Sequence, residues 1–436
     1  MNEITWGLLG PDTVTSTRRS RTLGLGATVR YFNEQAVPGI GGVWFGKQLW
    51  YAVLGVALAN KLKINNQKNS NIQCANAIEA LSCWLALDHN GWKSDPRLRG
   101  ATKLKNNKDL TFKKASKPSF YVTQPMRMAT VKALPALGLV RSDATRFNQY
   151  QLSDDCLLRF DLGANSNGGY GGELFKNIYQ WSQGKLDVDK GRYKSILYAS
   201  LSPLEPMDNT FRRLLTDVLQ CGSNTESYTN KQRRRNALQW VETLRQSPEQ
   251  TLSWTNRPPM LDEEHWHDLH TGATFFALRD QSLEVLNALE SHLGSLQENR
   301  SFDLKKSELP QSVRSAIVTL RQHAASYLTL GHTDAIALQF CRECSAETDE
   351  IIIRNLVARD GNVLRLMGSI ALPGPAFEGS TNNTNADTAN DEVDLRRVKW
   401  PTGISSRINN LFYLNADLHG VLNDWLIATP ILSEKP

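Results

Sequence analysis

Two stretches near the N-terminus leave little choice about where they go. Lys47 to Lys63 and Ile72 to Leu87 each run for more than two helical turns without proline and are strongly apolar. A helix that is apolar nearly all round has no face to offer water, so both are predicted to be buried. The longest apolar run, Leu49 to Ala59, is about half of the roughly 20 residues that a bilayer span requires, so burial within protein is the reading. At 436 residues the chain has material for two or three domains, and 40% hydrophobic with 22% charged residues describes an ordinary globular protein. The start is polar, contains Pro11, and shows no signal-peptide pattern. Six scattered cysteines do not form a secreted disulfide framework, so a cytoplasmic protein is expected.

Charge is distributed unevenly. The net charge is +6, yet Trp92 to Lys117 alone holds nine Lys or Arg against Asp95 and Asp109, nine minus two giving +7. Lys103, Lys105, Lys113 and Lys114 belong to this cluster, which falls in an insertion, about 88–121, too long for a plain turn between helices. An exposed basic excursion is predicted, and a mildly basic protein with such a focus favours a polyanionic partner.

Thr123 to Leu152 follows. Thr123 suits a helix N-cap and Pro125 the first turn, while Gly138 is a natural left-handed stop. At 100° per residue Met126, Ala129, Ala133 and Leu137 share one stripe, with Gln124, Met128 and Lys132 opposite and Arg127 at the border. Leu139 to Arg141, a polar turn Ser142–Thr145, and Phe147 to Leu152 read as two strands of a hairpin. Helix, strand, basic turn and strand together resemble the recognition helix and wing of winged-helix domains, with the two apolar helices as supports. The resemblance covers about 123–152 only. It implies DNA contact: Gln124, Arg127 and Met128 toward a major groove, Lys132 on phosphate, and Arg141 and Arg146 on phosphate or the minor groove. The lysine cluster would add attraction independent of sequence.

The fold class expected is mainly α with small β hairpins. An N-terminal domain, 1–162, contains the winged-helix-like unit. A Gly-rich hinge at Gly163–Gly172 leads to a mainly helical domain, 173–372, with helices predicted by pattern at Asn209–Cys221, Asp262–Leu269 and Gln281–Leu296 among others, and strands at Ile351–Leu356 and Val363–Leu372. An acidic linker, 374–394, is expected to be disordered, and 395–436 returns to helix. Residues 1–46 read as irregular or β-containing, with a basic patch at Arg18–Arg21.

Other motifs carry less. Gly41 to Lys47 formally fits G-x-x-x-x-G-K, but Gln48 stands where a Ser or Thr belongs, and Trp44 and Phe45 are bulky for a phosphate loop. A glycine turn entering a buried helix fits better. Glu264–His270 concentrates His265, His267 and His270 without a recognised metal spacing, and Cys341-x-x-Cys344 is half a zinc site. Lys231–Arg235 is either a second phosphate patch or a solvated helix start. Asp187-Val-Asp189-Lys190 and Asp303-Leu-Lys305 lack a nuclease context, and no catalytic triad is signalled locally. The function expected is therefore a non-enzymatic DNA-binding subunit, on duplex DNA, within a larger bacterial assembly such as genome defence or mobile-element control. No cofactor, metal or membrane partner is implied, and protein partners are. The alternatives are an adaptor using its winged helix for protein contacts, and a nucleic-acid-processing enzyme with a site near Glu264–His270.

Overall fold

The computed structural model describes residues 21–107, 109–141, 146–159, 172–248, 252–296, 300–379 and 398–426. In chain order the helices are α1 Gly26–Ala36, α2 Lys47–Ile64, α3 Asn71–His89, α4 Ala101–Lys105, α5 Phe112–Ala115, α6 Arg127–Thr130, α7 Ala133–Ala136, α8 Asp154–Arg159, α9 Gly172–Ser182, α10 Gly191–Leu201, α11 Asn209–Cys221, α12 Tyr228–Gln246, α13 Glu263–Ser295, α14 Gln311–Thr329, α15 Ala335–Cys344, α16 Asp349–Asp360, α17 Ser406–Leu418 and α18 Leu422–Leu426. The strands are β1 Phe302–Asp303, β2 Leu364–Met367 and β3 Ile370–Pro373. The protein is thus mainly helical, with one small sheet among the described residues. Its chain divides into two units, residues 1–31 with 270–389, and residues 32–269 with 390–436.

In the unit built on residues 32–269, α2 and α3 are the centre. Neither has a polar stripe, and residues from Lys47 to Ala59 are all buried. Ser70 starts α3 with a capping box, its side chain accepting from Gln73 N–H while the Gln73 side chain accepts from Ser70 N–H. The two helices touch at Gly55, where a Cβ would lie 2.7 Å from the Ala75 Cα, so glycine lets the backbones approach. Around this pair pack α6, α7 and α9 on α2, and α4, α5 and α10 on α3. Helix α11 spans the residues its pattern predicts. Asp208 caps it, Phe211, Leu215, Val218 and Leu219 face inward, and Gly222 ends it at φ +61°.

The unit holding residues 270–389 packs α14, α15 and α16 together, with α16 against β2. Its sheet has the order β1-β3-β2, both pairs antiparallel, with Leu366 opposite Ala371 and Phe302 opposite the same residue on the other side. Arg21 is anchored here by Glu290 at 2.9 Å and Asp360 at 3.2 Å.

Several expectations need correction. Ile351–Leu356 is helix, not strand: Thr348 caps α16 through Ile351 N–H, Asp349 and Glu350 sit in its first turn, and Gly361 closes it in the left-handed region. These end signals outweigh three consecutive β-branched residues. The expected second strand is instead the hairpin β2–β3. The two helices expected at Asp262–Leu269 and Gln281–Leu296 are one helix, α13. Residues 26–36 are helical rather than irregular, while the patch Arg18-Arg19-Ser20 lies outside the described residues. The hinge expected at Gly163–Gly172 also lies outside them, apart from Gly172, which opens α9. Of the expected acidic linker, only 374–379 is described, and it is tied down by Gly374 N–H on Val363 O (2.8 Å) and Ala376 N–H on Asn362 O (3.1 Å).

Candidate nucleic-acid interface

The basic excursion is pinned to α3 by the apolar residues interleaved with its lysines. Leu104, Leu110, Phe112, Ala115 and Tyr121 are buried in the core around α2 and α3. In α5, Phe-Lys-Lys-Ala turns Phe112 and Ala115 inward, which drives Lys113 and Lys114 out; in α4, Leu104 does the same for Lys103 and Lys105. Phe112 meets the Trp181 ring edge-on at 5.3 Å, and the Trp181 indole N–H donates to Leu110 O at 2.9 Å. Lys103 donates to Ser119 O (2.9 Å), and Lys114 pairs with Asp109 at 2.6 Å. That hydrogen bond, with Thr111, holds the Asp109 carboxyl down at about 2. Lys93, Lys105, Lys113 and Lys117 are exposed and make no ion pair among the described residues. The two arginines of the cluster face inward. Arg97 is buried against Asp95 at 2.8 Å, and Arg99 donates to Gln124 O at 2.8 Å.

The stretch expected to be one helix, 124–137, is two single turns, α6 and α7. Its break has identifiable causes. The Ala129 carbonyl accepts from Gly42 N–H at 3.0 Å, and Pro135 has no N–H for the Val131 carbonyl, which accepts instead from the Tyr150 hydroxyl at 2.9 Å. Gly138 stops the second turn at φ +72°, with Leu139 N–H on Leu134 O at 2.9 Å. Beyond it, pairing among the described residues is a Val140–Leu152 bridge with Arg141 N–H on Gln151 O (2.9 Å) and Ser153 N–H on Leu139 O (3.2 Å), and Phe147–Gln149 is a 3₁₀ turn rather than strand. Asn71 fastens that turn to the start of α3 by donating to Phe147 O at 2.7 Å and Tyr150 O at 2.9 Å. The expected wing tip, Ser142–Thr145, lies outside the described residues.

The side chains expected to read DNA divide between inside and outside. Arg127 turns inward: its Nε donates to Asn76 at 2.9 Å and its guanidinium lies 5.7 Å over the Phe147 ring. Gln124 is half-buried, whereas Met128 (55% exposed), Lys132, Arg141 and Arg146 face solvent. Among the described residues Arg141 makes one long pair, with exposed Asp154 at 3.4 Å. Beneath them lies a carboxylate that no local pattern signals. Glu79 on α3 is fully buried and accepts from the Tyr121 hydroxyl and from Arg127 N–H at 2.8 Å. Burial pushes its carboxyl up, against the pull of the Tyr121 hydrogen bond and the Arg127 charge. This network ties the end of the excursion and the start of α6 to the central helix.

The other motifs resolve as structure. Lys47 is buried and donates to Ser202 O at 2.6 Å, while Gly46 N–H meets Asp417 at 2.8 Å. A Cβ on Gly46 would lie 2.3 Å from Met207 Sδ, so no phosphate fits against this glycine turn. In the run 231–235, Arg234 is bidentate on Glu226, and Arg233 reaches Glu264 (2.9 Å) and Asp268 (2.7 Å). Only Arg235 of its three arginines is exposed. His265 is buried with Nε2 2.9 Å from Ala36 O, and burial pulls its pKa down. Cys341 and Cys344 are buried in α15, their thiols pushed up by burial to about 11 and about 12. Among the described residues no three His, Cys, Asp or Glu side chains converge as a metal would require, and no helix is long and apolar enough to cross a membrane.

No protein family matches the chain, and comparisons with curated proteins and with solved structures found no match either.

Proposed function

We propose that this chain is a non-enzymatic DNA-binding subunit of a larger assembly, holding duplex DNA by its phosphates through the 93–117 lysines. The observation that carries the reading is the arrangement of this segment. Apolar residues fix it to α3, and four lysines are left facing solvent without a carboxylate partner among the described residues. Phosphate contacts of this kind give affinity and no sequence readout. Residues 123–152 then act as a winged-helix-like unit that sets register through Lys132, Arg141 and Arg146, while the inward-facing Arg127 supports the fold. The test is fluorescence anisotropy on a labelled duplex across salt, with a Lys105/Lys113/Lys117→Ala variant beside the wild type. Each lost phosphate contact lowers the log–log salt slope by about 0.9, so a drop of about 2–3 is expected. A folded wild type that ignores duplex at low salt, or an unchanged slope in the variant, defeats the proposal.

One observation favours an adaptor role instead. Met128, in the position where a groove-reading side chain is expected, exposes an apolar surface, and methionine suits adaptable protein contacts. Met128→Glu would then weaken capture of a partner protein and leave duplex affinity within twofold.

A further inference from the structure

Helix α11 has an outer face that the lysine-face reading does not use. Two adjoining cavities lie along it, of about 390 and about 470 Å³, and Asp217 lines both. Arg212 and Arg213 line the first, together with Asn209 in the first turn of the helix; Arg141 lines the second. The Arg212 guanidinium lies against the turn after α17, where a Cβ on Gly420 would come within 2.9 Å of Nη1, and its Nε is buried without a hydrogen-bond partner. Arg213 is exposed. Neither arginine makes an ion pair among the described residues, unlike Arg97, Arg233 and Arg234 in the same unit, which are engaged with carboxylates.

We propose that this groove binds one nucleotide unit, its phosphate on Arg212 and Arg213 and its sugar or base extending past Asp217 into the second cavity. Two guanidiniums present forked N–H donors that match phosphate oxygens, and the N-terminal half of a helix adds positive potential. The negative charges of Asp217 and Asp155 along the second cavity repel a second phosphate, which selects a single phosphate ester over a polyphosphate. Cavities of this size suit a ligand of a few hundred Å³. The nucleotide is either free or the terminal residue of a strand; the second source rests on the nucleic-acid reading above, and the first does not.

Calorimetric titration of the full chain tests this with four probes: nucleoside 5′-monophosphates, inorganic phosphate, and an oligothymidylate with and without a 5′-phosphate. Arg213→Glu, an exposed position, is compared with wild type and with the lysine variant, and melting temperature confirms folding. Wild-type binding of a monophosphate that is at least tenfold weaker in R213E and unchanged in the lysine variant supports the site, as does a preference for the 5′-phosphorylated over the unphosphorylated strand that R213E abolishes and the lysine variant keeps. Whichever of the monophosphate and the 5′-phosphorylated strand binds tighter identifies the source. The inference is overturned if neither binds, if inorganic phosphate binds as well as any nucleotide, or if R213E retains full affinity. Duplex binding that survives such a result leaves the lysine-face reading standing.

Discussion

Replacing Arg234 with alanine removes a guanidinium that the sequence leaves as part of either a phosphate patch or a solvated helix start, and that is fully buried in the structure. Its Nη1 and Nη2 meet the two Glu226 oxygens at 2.5 and 2.7 Å, its Nε donates to Leu219 O at 2.7 Å, and Nη1 also reaches Pro38 O at 3.2 Å. The substitution leaves the Glu226 side chain, 6% exposed, without its counter-charge, and two carbonyls without donors. Breaking a buried pair from one side costs about 3–5 kcal/mol, and the orphaned carbonyls place this case toward the upper end. Against a net stability of roughly 5–15 kcal/mol that is a large fraction. Removing both partners, Arg234→Met with Glu226→Leu, leaves no uncompensated charge and is expected to cost about 2 kcal/mol or less. Urea unfolding followed by tryptophan fluorescence and far-UV circular dichroism measures both. Duplex affinity of folded R234A should equal that of wild type. A single variant within about 1 kcal/mol of wild type, or a double variant as damaged as the single, would refute the assignment of Arg234 to the interior.

Burial pulls the Lys47 ammonium down to about 8 from 10.5, so the full cost of burying its charge is present below pH 8 and is relieved as pH rises toward 10.5. Wild type should therefore gain on Lys47→Met across that window, by about 1.4 kcal/mol per pH unit and about 3 in all, and a pH-independent difference in unfolding free energy would contradict this. Ellman's reagent should titrate one thiol quickly in the folded protein, Cys221, and all six after denaturation, because the other five cysteines are buried; a second fast thiol counts against the packing described. Gly55→Ala places a methyl 2.7 Å from the Ala75 Cα and should cost about 1–3 kcal/mol by overpacking, seen as a lower melting temperature, with no change as the adverse result.

What the sequence announces here is what local pattern controls. Helices α2 and α3 are legible because neither has a polar stripe, and α11 because an Asp cap, an amphipathic period and a glycine stop all agree. The break between α6 and α7 is legible only in part: Pro135 argues against a long continuation, but Gly42 N–H and the Tyr150 hydroxyl, which take the freed carbonyls, come from elsewhere in the chain. The Glu79 network is not legible, since its partners Tyr121 and Arg127 lie 42 and 48 residues away.

Charge raises the sharper question, because a basic run tells its sign and not its direction. Arginine carries five donors in a planar fork and is weakly hydrated, so it can enter the interior wherever carboxylates and carbonyls meet that fork; lysine is a strongly hydrated point charge that loses more on burial. The second unit follows this division. Arg97, Arg233 and Arg234 are buried and engaged, while Lys93, Lys105, Lys113 and Lys117 stay outside. Lys47 is buried at the cost of a lowered pKa. Counting basic residues in the run 231–235 therefore overstates its attraction for phosphate, and counting them at 93–117 overstates it by the two inward arginines. What is left for a polyanion includes the lysine face, the exposed Lys132, Arg141 and Arg146, and, on α11, Arg212 and Arg213, which make no ion pair among the described residues although the Arg212 charge acts on the buried Asp417 carboxyl. The lysine face suits a backbone gripped by charge alone. The α11 groove, with forked donors beside a carboxylate, suits a ligand recognised by shape and hydrogen bonds as well.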